Sequence, residues 1–167
     1  MKKLYLSILV VFFALSFCIG QKYAYMNSTQ LLLEMAEVKS ADTQLEAYQK
    51  QLVSRGETMV KAFEGNYNKY VEKAQAGTLT GLQTQQTESE LAQEQQAIQK
   101  YEQEVQVLIG KKREELYKPI LDKVKVIVEQ IGKENSYTMI FDSSRGGILF
   151  AAEADNIMPL VKSRLGI

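Results

Sequence analysis

The chain contains no histidine, a single cysteine and only two prolines among its 167 residues. Without histidine it lacks the most common general base of enzymes and one of the two usual zinc ligands. Its one cysteine, Cys18, cannot form a disulfide within the chain. There is no glycine-rich phosphate loop, because the Gly146-Gly147 pair stands alone and is more typical of a turn. We therefore expect no enzyme activity, no metal, no cofactor and no small-molecule substrate.

The chain also lacks an excess of charge of either sign, because it has 20 Lys and Arg and 20 Asp and Glu. A nucleic-acid-binding protein usually carries a basic patch or stripe. The balance therefore argues against nucleic acid as a partner.

The first twenty residues predict a secretory signal peptide. A basic start, Met1-Lys2-Lys3, precedes an apolar run over residues 4–17, and Cys18-Ile19-Gly20 places small residues where a signal peptidase cuts. The run is too short to span a membrane, because polar Gln21 follows too early. We expect cleavage after Gly20 and a mature chain with 18 basic residues, since Lys2 and Lys3 are lost, against 20 acidic ones, a net charge of −2.

An alternative is a lipoprotein signal in which Cys18 is acylated. Phe17 is bulky at a position where such signals have Gly, Ala or Ser, so simple cleavage is favoured. An exported chain without cysteine fits the periplasm better than an extracellular site.

The longest predicted element of the chain contains almost no proline. Residues 28–133 contain one proline and predict two long helices that fold back at residues 76–81, where two glycines and two threonines come together. Each limb has about fifty residues and would reach roughly 70 to 80 Å. The apolar residues of the first limb recur every three or four positions, as in a coiled-coil seam. They are Val38, Ala41, Leu45, Tyr48, Leu52, Gly56, Met59, Phe63, Tyr67, Tyr70 and Ala74.

The return limb repeats its apolar residues every eleven positions, as the first limb does at Leu52, Phe63 and Ala74. This shared period predicts that the two limbs pack along their length. The rows of the return limb are Val105, Leu116 and Ile127, and Ile109, Ile120 and Ile131. Pro119 is expected to kink this limb without ending it. Residues 75–99 hold eight glutamines, few apolar residues and no Lys or Arg, so the distal part of the hairpin should have a poor core and bend easily.

The two ends of the chain predict a small β-containing body. Alternation predicts strands over residues 22–27, 137–142 and 148–151, the last two joined as a hairpin by the turn Ser143–Gly147. We expect Asn27 or Ser28 to cap the first limb, and Asp155 to cap a final helix that carries Pro159 in its first turn. The fold class is α+β and mostly helical. The body comprises residues 21–35 and 117–167, and the hairpin arm residues 36–116.

Such a body is too small to cover its own apolar strands. We expect it to oligomerise and so to close the sheet. The side chains expected in the contact are Tyr23, Tyr25, Ile140, Phe141, Ile148 and Phe150.

The sequence resembles the Skp/OmpH family of periplasmic chaperones over nearly the whole mature chain. The segments that carry the likeness are KYAYMNSTQLLL (residues 22–33), Glu37-Val38-Lys39, LYKPI (116–120), KENSYTMIFD (133–142), Asp155-Asn156-Ile157 and Leu165-Gly166-Ile167. The resemblance implies a homotrimer shaped like a jellyfish, with a β body on the threefold axis and helical-hairpin arms around a cavity. It also implies that unfolded outer-membrane β-barrel proteins are held there without ATP.

The resemblance gives the aromatic residues of the arm a second interpretation. Their spacing favours a seam, but adaptable Tyr and Met side chains also suit weak contact with client chains. The candidate client-binding residues are Met59, Phe63, Tyr67, Tyr70, Leu79 and Leu82.

This chain departs from strongly basic family members, because it is slightly acidic and residues 74–99 of its arm contain no Lys or Arg. We therefore do not extend charge steering or lipopolysaccharide binding to it, and a transient contact with a membrane surface stays open. The alternative function is that of a structural or scaffolding coiled coil of the envelope.

Overall fold

A computed structural model describes residues 21–167 as two compact units. The predicted signal peptide over residues 1–20 and the alternative acylation of Cys18 fall outside the described residues. Ala36–Leu121 forms one unit, and residues 21–35 with 122–167 form the other. The chain is mostly helical with a small sheet, as the sequence predicts.

The body contains a two-stranded parallel sheet. Strand β1 (Tyr23–Met26) pairs with β2 (Met139–Asp142), with Tyr23 opposite Met139 and Met26 opposite Asp142. On the other side of β1, the Ile157 N–H donates to the Tyr25 carbonyl at 3.0 Å. Parallel pairing is possible because a very long connection separates the two strands.

The predicted hairpin after β2 is wrong. The Asp142 side chain caps a 3₁₀ turn (Ser143–Arg145), which leads into Gly146 and Gly147, both at positive φ. This turn leads the chain away before a return strand can pair with β2. Residues 148–151 form no strand, although their sequence alternates as a strand would.

Helix α1 (Ser28–Glu34) begins as predicted, with the Asn27 side chain accepting from the Gln30 N–H at 2.9 Å. The first limb is not one continuous helix, which corrects the sequence prediction. Met35 is extended (φ −72°, ψ 129°) and buried, and helix α2 (Ala36–Gln75) begins after it. The break accompanies the burial of both Met35 and Leu31, whose large apolar side chains gain from leaving water.

Helix α3 (Gly81–Glu134) passes through Pro119, which confirms that the proline does not end the limb. Its start is a capping box. The Thr80 hydroxyl accepts from the Gln83 N–H at 3.3 Å, and the Gln83 side chain accepts from the Thr80 N–H at 2.9 Å. Gly77, at φ +64°, completes the predicted turn between α2 and α3.

Helix α4 (Met158–Leu165) closes the body. The predicted cap at Asp155 is wrong, because Ile157 occupies the cap position and the Asn156 side chain, one residue before it, accepts from the Met158 N–H at 3.0 Å. Asp155 instead ends a 3₁₀ turn (Glu153–Asp155). The side chains that are fully buried in the body are Leu31, Met35, Ile131 and Val161.

Two ion pairs fasten α4 at the rim of this core. The Lys162 ammonium lies 2.6 Å from the Glu34 carboxylate, and the Arg164 guanidinium binds the Glu134 carboxylate. Hydrogen bonds from Arg164 lower the pKa of Glu134 below its ordinary value. Within residues 21–167 no helix combines the length and apolar character that crossing a bilayer requires.

We predict that Gly65→Ala stabilises the hairpin unit and that Gly77→Ala destabilises it. A Cβ at either position meets nothing within 4 Å, so the comparison isolates the backbone. Alanine favours helix over glycine by about 0.5–1 kcal/mol, which applies to Gly65 in α2. At Gly77 the positive φ costs alanine about 1 kcal/mol or more. Urea unfolding measures both, and a loss of stability in Gly65→Ala would contradict the open space found around this helical position.

Asp142 should make stability depend on pH in the acid range. Its carboxylate accepts hydrogen bonds from the Ser28 hydroxyl at 2.6 Å, the Ser28 N–H at 3.1 Å and the Ser144 N–H at 3.0 Å. Burial alone would raise the pKa of Asp142, but these hydrogen bonds outweigh it and lower the pKa to about 2. An unfolded aspartate titrates near pH ~3.9, so its contribution is present above that pH and is lost as the pH falls towards 2.

We therefore expect Asp142→Ala to lower the free energy of unfolding at pH 7 by about 1–2 kcal/mol. The difference from the unmodified protein should shrink between about pH 4 and pH 2. Urea unfolding over a pH series at fixed protein concentration tests this, with Asp155→Ala as the control. A difference that stays constant down to pH 2 would refute the role given to the carboxylate.

Candidate functional site

Hydrogen bonds cross between α2 and α3 at four levels of the hairpin. The Tyr117 hydroxyl binds the Asp42 carboxylate, and the Tyr101 hydroxyl donates to the Leu52 carbonyl at 2.9 Å. Nearer the turn, Asn66 donates to Glu94 at 2.8 Å and Tyr70 to Glu88 at 2.6 Å. Each pair lies nearly the same number of residues from the turn, so the helices run antiparallel in one register.

The pKa values of the two tyrosines that donate to carboxylates are raised. The hydrogen bond to Glu88 is the largest of the effects that raise the pKa of the Tyr70 phenol. The hydrogen bond to Asp42 likewise raises the pKa of Tyr117. Both phenols therefore remain donors well into the alkaline range.

Tyr101 is the residue that sequence reasoning missed. It is buried against α2 beside Gly56, where an added Cβ would lie 3.4 Å from the Tyr101 ring, in ordinary van der Waals contact. The Arg55 guanidinium lies 5.2 Å from the ring centroid. A signal was present, since Tyr101 stands three residues after Ile98 and four before Val105, as a seam residue does.

The apolar seam is continuous only on the side of Tyr101 away from the turn. Buried residues of this seam on α2 are Val38, Ala41, Leu45 and Leu52. Beyond them, Met59, Phe63 and Tyr70 are half-buried, and on the facing stretch of α3 only Leu91 is buried. The poor core predicted for residues 75–99 matches this thinning of the seam.

A cavity of about 240 Å³ lies between the two helices near the turn. Tyr70, Leu79 and Leu91 supply its apolar wall, and Lys69, Lys73 and Glu94 are among its polar residues. One Glu94 carboxylate oxygen is buried without a hydrogen-bond partner in the described part of the chain. The cavity thus leaves the distal hairpin loosely packed.

The six candidate client-binding residues do not share one surface. Met59, Phe63 and Tyr70 lie half-buried along the seam, and Leu79 lines the cavity. Leu82 is exposed, at 76%. Tyr67 is exposed as well, with its ring 6.2 Å from that of Phe63 and nearly parallel to it.

The seam predicted through Tyr67 and Ala74 is therefore wrong at those two residues, because both are exposed. The facing stretch of α3 is rich in Gln and Glu and offers few apolar partners to cover them.

The body carries its own apolar groove, lined by Tyr23, Tyr25, Phe141 and residues 147–152. The Tyr23 and Phe141 rings lie 6.1 Å apart, and Leu149 and Phe150 are almost fully exposed. Five of the six side chains that the sequence assigns to oligomerisation line this groove. The sixth, Ile140, points towards Gly132 instead.

Together these features define a class of protein in which a small α+β body carries a long antiparallel helical hairpin. Residues 22–165 match the family described as outer membrane protein (OmpH-like). The chain belongs to this OmpH-like family.

A solved structure agrees in fold with this family assignment. It is the crystal structure of a candidate outer membrane chaperone (OmpH-like) from Caulobacter crescentus CB15, at 15% identity and a TM-score of 0.73, covering 87% of this chain and 84% of that one. No curated protein matches the chain.

We predict that Tyr101→Phe destabilises the hairpin unit by about 1 kcal/mol, because the hydrogen bond to the Leu52 carbonyl is lost while the ring stays buried. Tyr67→Phe is the matched control, since its ring is exposed and its hydroxyl has no described hydrogen bond. The control should change stability by less than about 0.5 kcal/mol. Equal losses in the two variants, measured by urea unfolding, would argue against a special role for the Tyr101 hydroxyl.

Proposed function

We propose that this chain is an ATP-independent periplasmic holdase chaperone that binds unfolded outer-membrane β-barrel proteins and prevents their aggregation. The OmpH-like family assignment supports the chaperone class. The fold of the C. crescentus protein, itself described as a candidate outer membrane chaperone, agrees with it. The lack of histidine, and of cysteine after residue 18, favours binding over catalysis.

The observation that carries the proposal is the apolar surface that the hairpin leaves uncovered. Val53 and Leu82 are each more than half exposed, and the seam thins towards the turn. Polar side chains at these positions would leave the seam between the two helices unchanged, so the apolar ones are not needed for the stability of the hairpin. Exposed apolar side chains along an elongated element instead suit many weak contacts with another chain.

We propose further that the protein is a homotrimer, with arms that enclose the client and a body that assembles the subunits. The groove around Phe141 and Phe150 supports assembly, because an isolated protomer would leave both rings in water. The far edge of β2 has no described strand partner. A neighbouring copy could supply that partner and cover the groove at once.

The second candidate function is a structural or scaffolding coiled coil of the envelope. The continuous seam from Val38 to Leu52 favours it, since a stiff helical pair can serve as a spacer. The two functions can be distinguished by an aggregation measurement, because only a holdase suppresses aggregation of an unfolded client.

The test removes residues 63–98 and rejoins α2 and α3 with a short glycine turn. The cut lies in register and leaves the seam to Leu52, the Tyr101 contact and the body in place. We expect assembly to survive and most client protection to be lost, because the cut removes Tyr67, Leu82 and the length of arm that would enclose the client.

Aggregation of a urea-diluted outer-membrane β-barrel protein is measured with the intact and the shortened protein, beside the native mass of each. If the shortened protein protected as well as the intact one, enclosure by the arms would be wrong. If neither protected, the scaffolding function would be favoured.

Phe150→Asp should dissociate the assembly. The Phe150 side chain is exposed in the single protomer, and the substitution would place a charge in the apolar contact that we propose it makes with a neighbouring copy. Val126→Asp is the control, since Val126 is an exposed residue of α3 outside the groove. Native mass should fall from three copies to one in the first variant only. A folded monomer of the unmodified protein at micromolar concentration would contradict the trimer.

A further inference from the structure

Three exposed apolar residues lie in one row on α2, apart from the seam. Val53, Val60 and Tyr67 are 57%, 38% and 49% exposed. They stand seven residues apart, so successive members are about 10 Å apart along the helix and nearly in line. We call Val53, Val60 and Tyr67 the exposed row. The seam residue Leu52 precedes Val53 directly, so the row starts about 100° around the helix from it.

Carboxylates accompany the exposed row. Glu57 follows Val53 by four residues and Glu64 follows Val60 by four, so each glutamate is a surface neighbour of its valine. Glu46 and Lys50 form an ion pair at 2.7 Å, but Glu57 and Lys61, at the same spacing, form none within residues 21–167. Glu64 forms no ion pair there either. Two carboxylates thus stand free beside two apolar side chains.

The spacing of the exposed row argues against another helix as its partner. A helix–helix seam needs two apolar positions in every heptad. The row supplies one, and Phe63, the nearest apolar residue that could supply a second, lies half-buried in the seam of its own hairpin. A second copy of the arm would therefore meet isolated points of contact with carboxylates between them.

An unfolded polypeptide has no such requirement for register. Its side chains can reach separate points about 10 Å apart by local adjustment, since three extended residues span roughly that distance. The free carboxylates favour segments whose apolar side chains have Lys or Arg nearby.

We propose that the exposed row of Val53, Val60 and Tyr67, with Glu57 and Glu64, is a contact surface for unfolded polypeptide segments that combine apolar or aromatic side chains with Lys or Arg. This inference rests on the proposed holdase function and assigns it a face of the arm. It also gives α2 two faces with different roles: the seam residues hold the hairpin together, and the exposed row contacts the client.

The experiment compares two triple variants of the full-length mature protein. The first carries Val53→Thr, Val60→Thr and Tyr67→Gln. The control carries Val107→Thr, Leu121→Gln and Val126→Thr, three exposed apolar residues of α3 with similar exposure. Threonine keeps the shape of valine, and both variants should retain helix content and native mass.

Binding of a urea-unfolded outer-membrane β-barrel protein, labelled with a fluorophore and diluted into each protein, gives an apparent Kd. We expect the exposed-row variant to bind roughly tenfold more weakly, because three apolar contacts are lost. The control should stay within about twofold of the unmodified protein. Equal affinity for the two variants would overturn the inference and leave the proposed function standing, provided that the unmodified protein binds.

Photo-crosslinking gives a second readout. Benzoylphenylalanine at position 60 should crosslink to the unfolded client more strongly than the same residue at position 107. A crosslink from position 60 to a second copy of the chain, in the absence of client, would assign the row to assembly instead. If the unmodified protein bound no client at all, the proposed function would fail, and the role of the row with it.

The charge preference has its own test. Two unfolded peptides of equal apolar content are compared, one with lysines between its apolar residues and one with glutamates. We expect the lysine peptide to bind several-fold more tightly, and Glu57→Gln with Glu64→Gln to remove that preference. A preference that survives both substitutions would show that these carboxylates do not select the client.

Discussion

The apolar seam between the two long helices is the constraint on which the rest of the hairpin depends. It fixes the register as far as Tyr101, whose ring fits beside Gly56 and whose hydroxyl reaches the Leu52 carbonyl. Nearer the turn, the helices are joined mainly by side-chain hydrogen bonds at exposed positions such as Asn66 to Glu94. Each such bond contributes only about 0.5–1.5 kcal/mol, because water competes for both partners. The hairpin is therefore firm at one end and weakly held at the other.

The body is built from both ends of the chain, so its few strands and helices have to meet across the whole length of the sequence. Two fully buried side chains from each end, Leu31 and Met35, and Ile131 and Val161, supply the apolar anchor. Asp142 then links β2 to the start of α1 through Ser28. The apolar groove on Tyr23 and Phe141 lies beyond this core, and a unit of this size has little further apolar surface with which to cover it.

Sequence patterns predicted the elements that local chemistry decides. The turn at residues 76–81, the cap at Asn27 and the passage of α3 through Pro119 all follow from residue type and spacing. They did not predict the parallel pairing of β1 with β2 or the break at Met35, because both depend on which distant side chains are buried. The sequence also did not predict the exposed row, because it placed Tyr67 in the seam and did not single out Val53 or Val60. The row's spacing of seven resembles half of a seam, and only the burial of its neighbours shows that it lies outside the seam.

A holdase that uses no ATP needs contacts weak enough to be reversed when the client folds. Covering a half-exposed valine or tyrosine contributes about 1 kcal/mol, which a folding client easily exceeds when it buries its own apolar side chains. Several such points on one arm raise the effective concentration of the next contact, so a long chain is retained although no single contact holds it. A continuous apolar groove would bind the client as firmly as the seam binds the two helices to each other. Under the proposed function, the sparse spacing of Val53, Val60 and Tyr67 is therefore what keeps capture reversible.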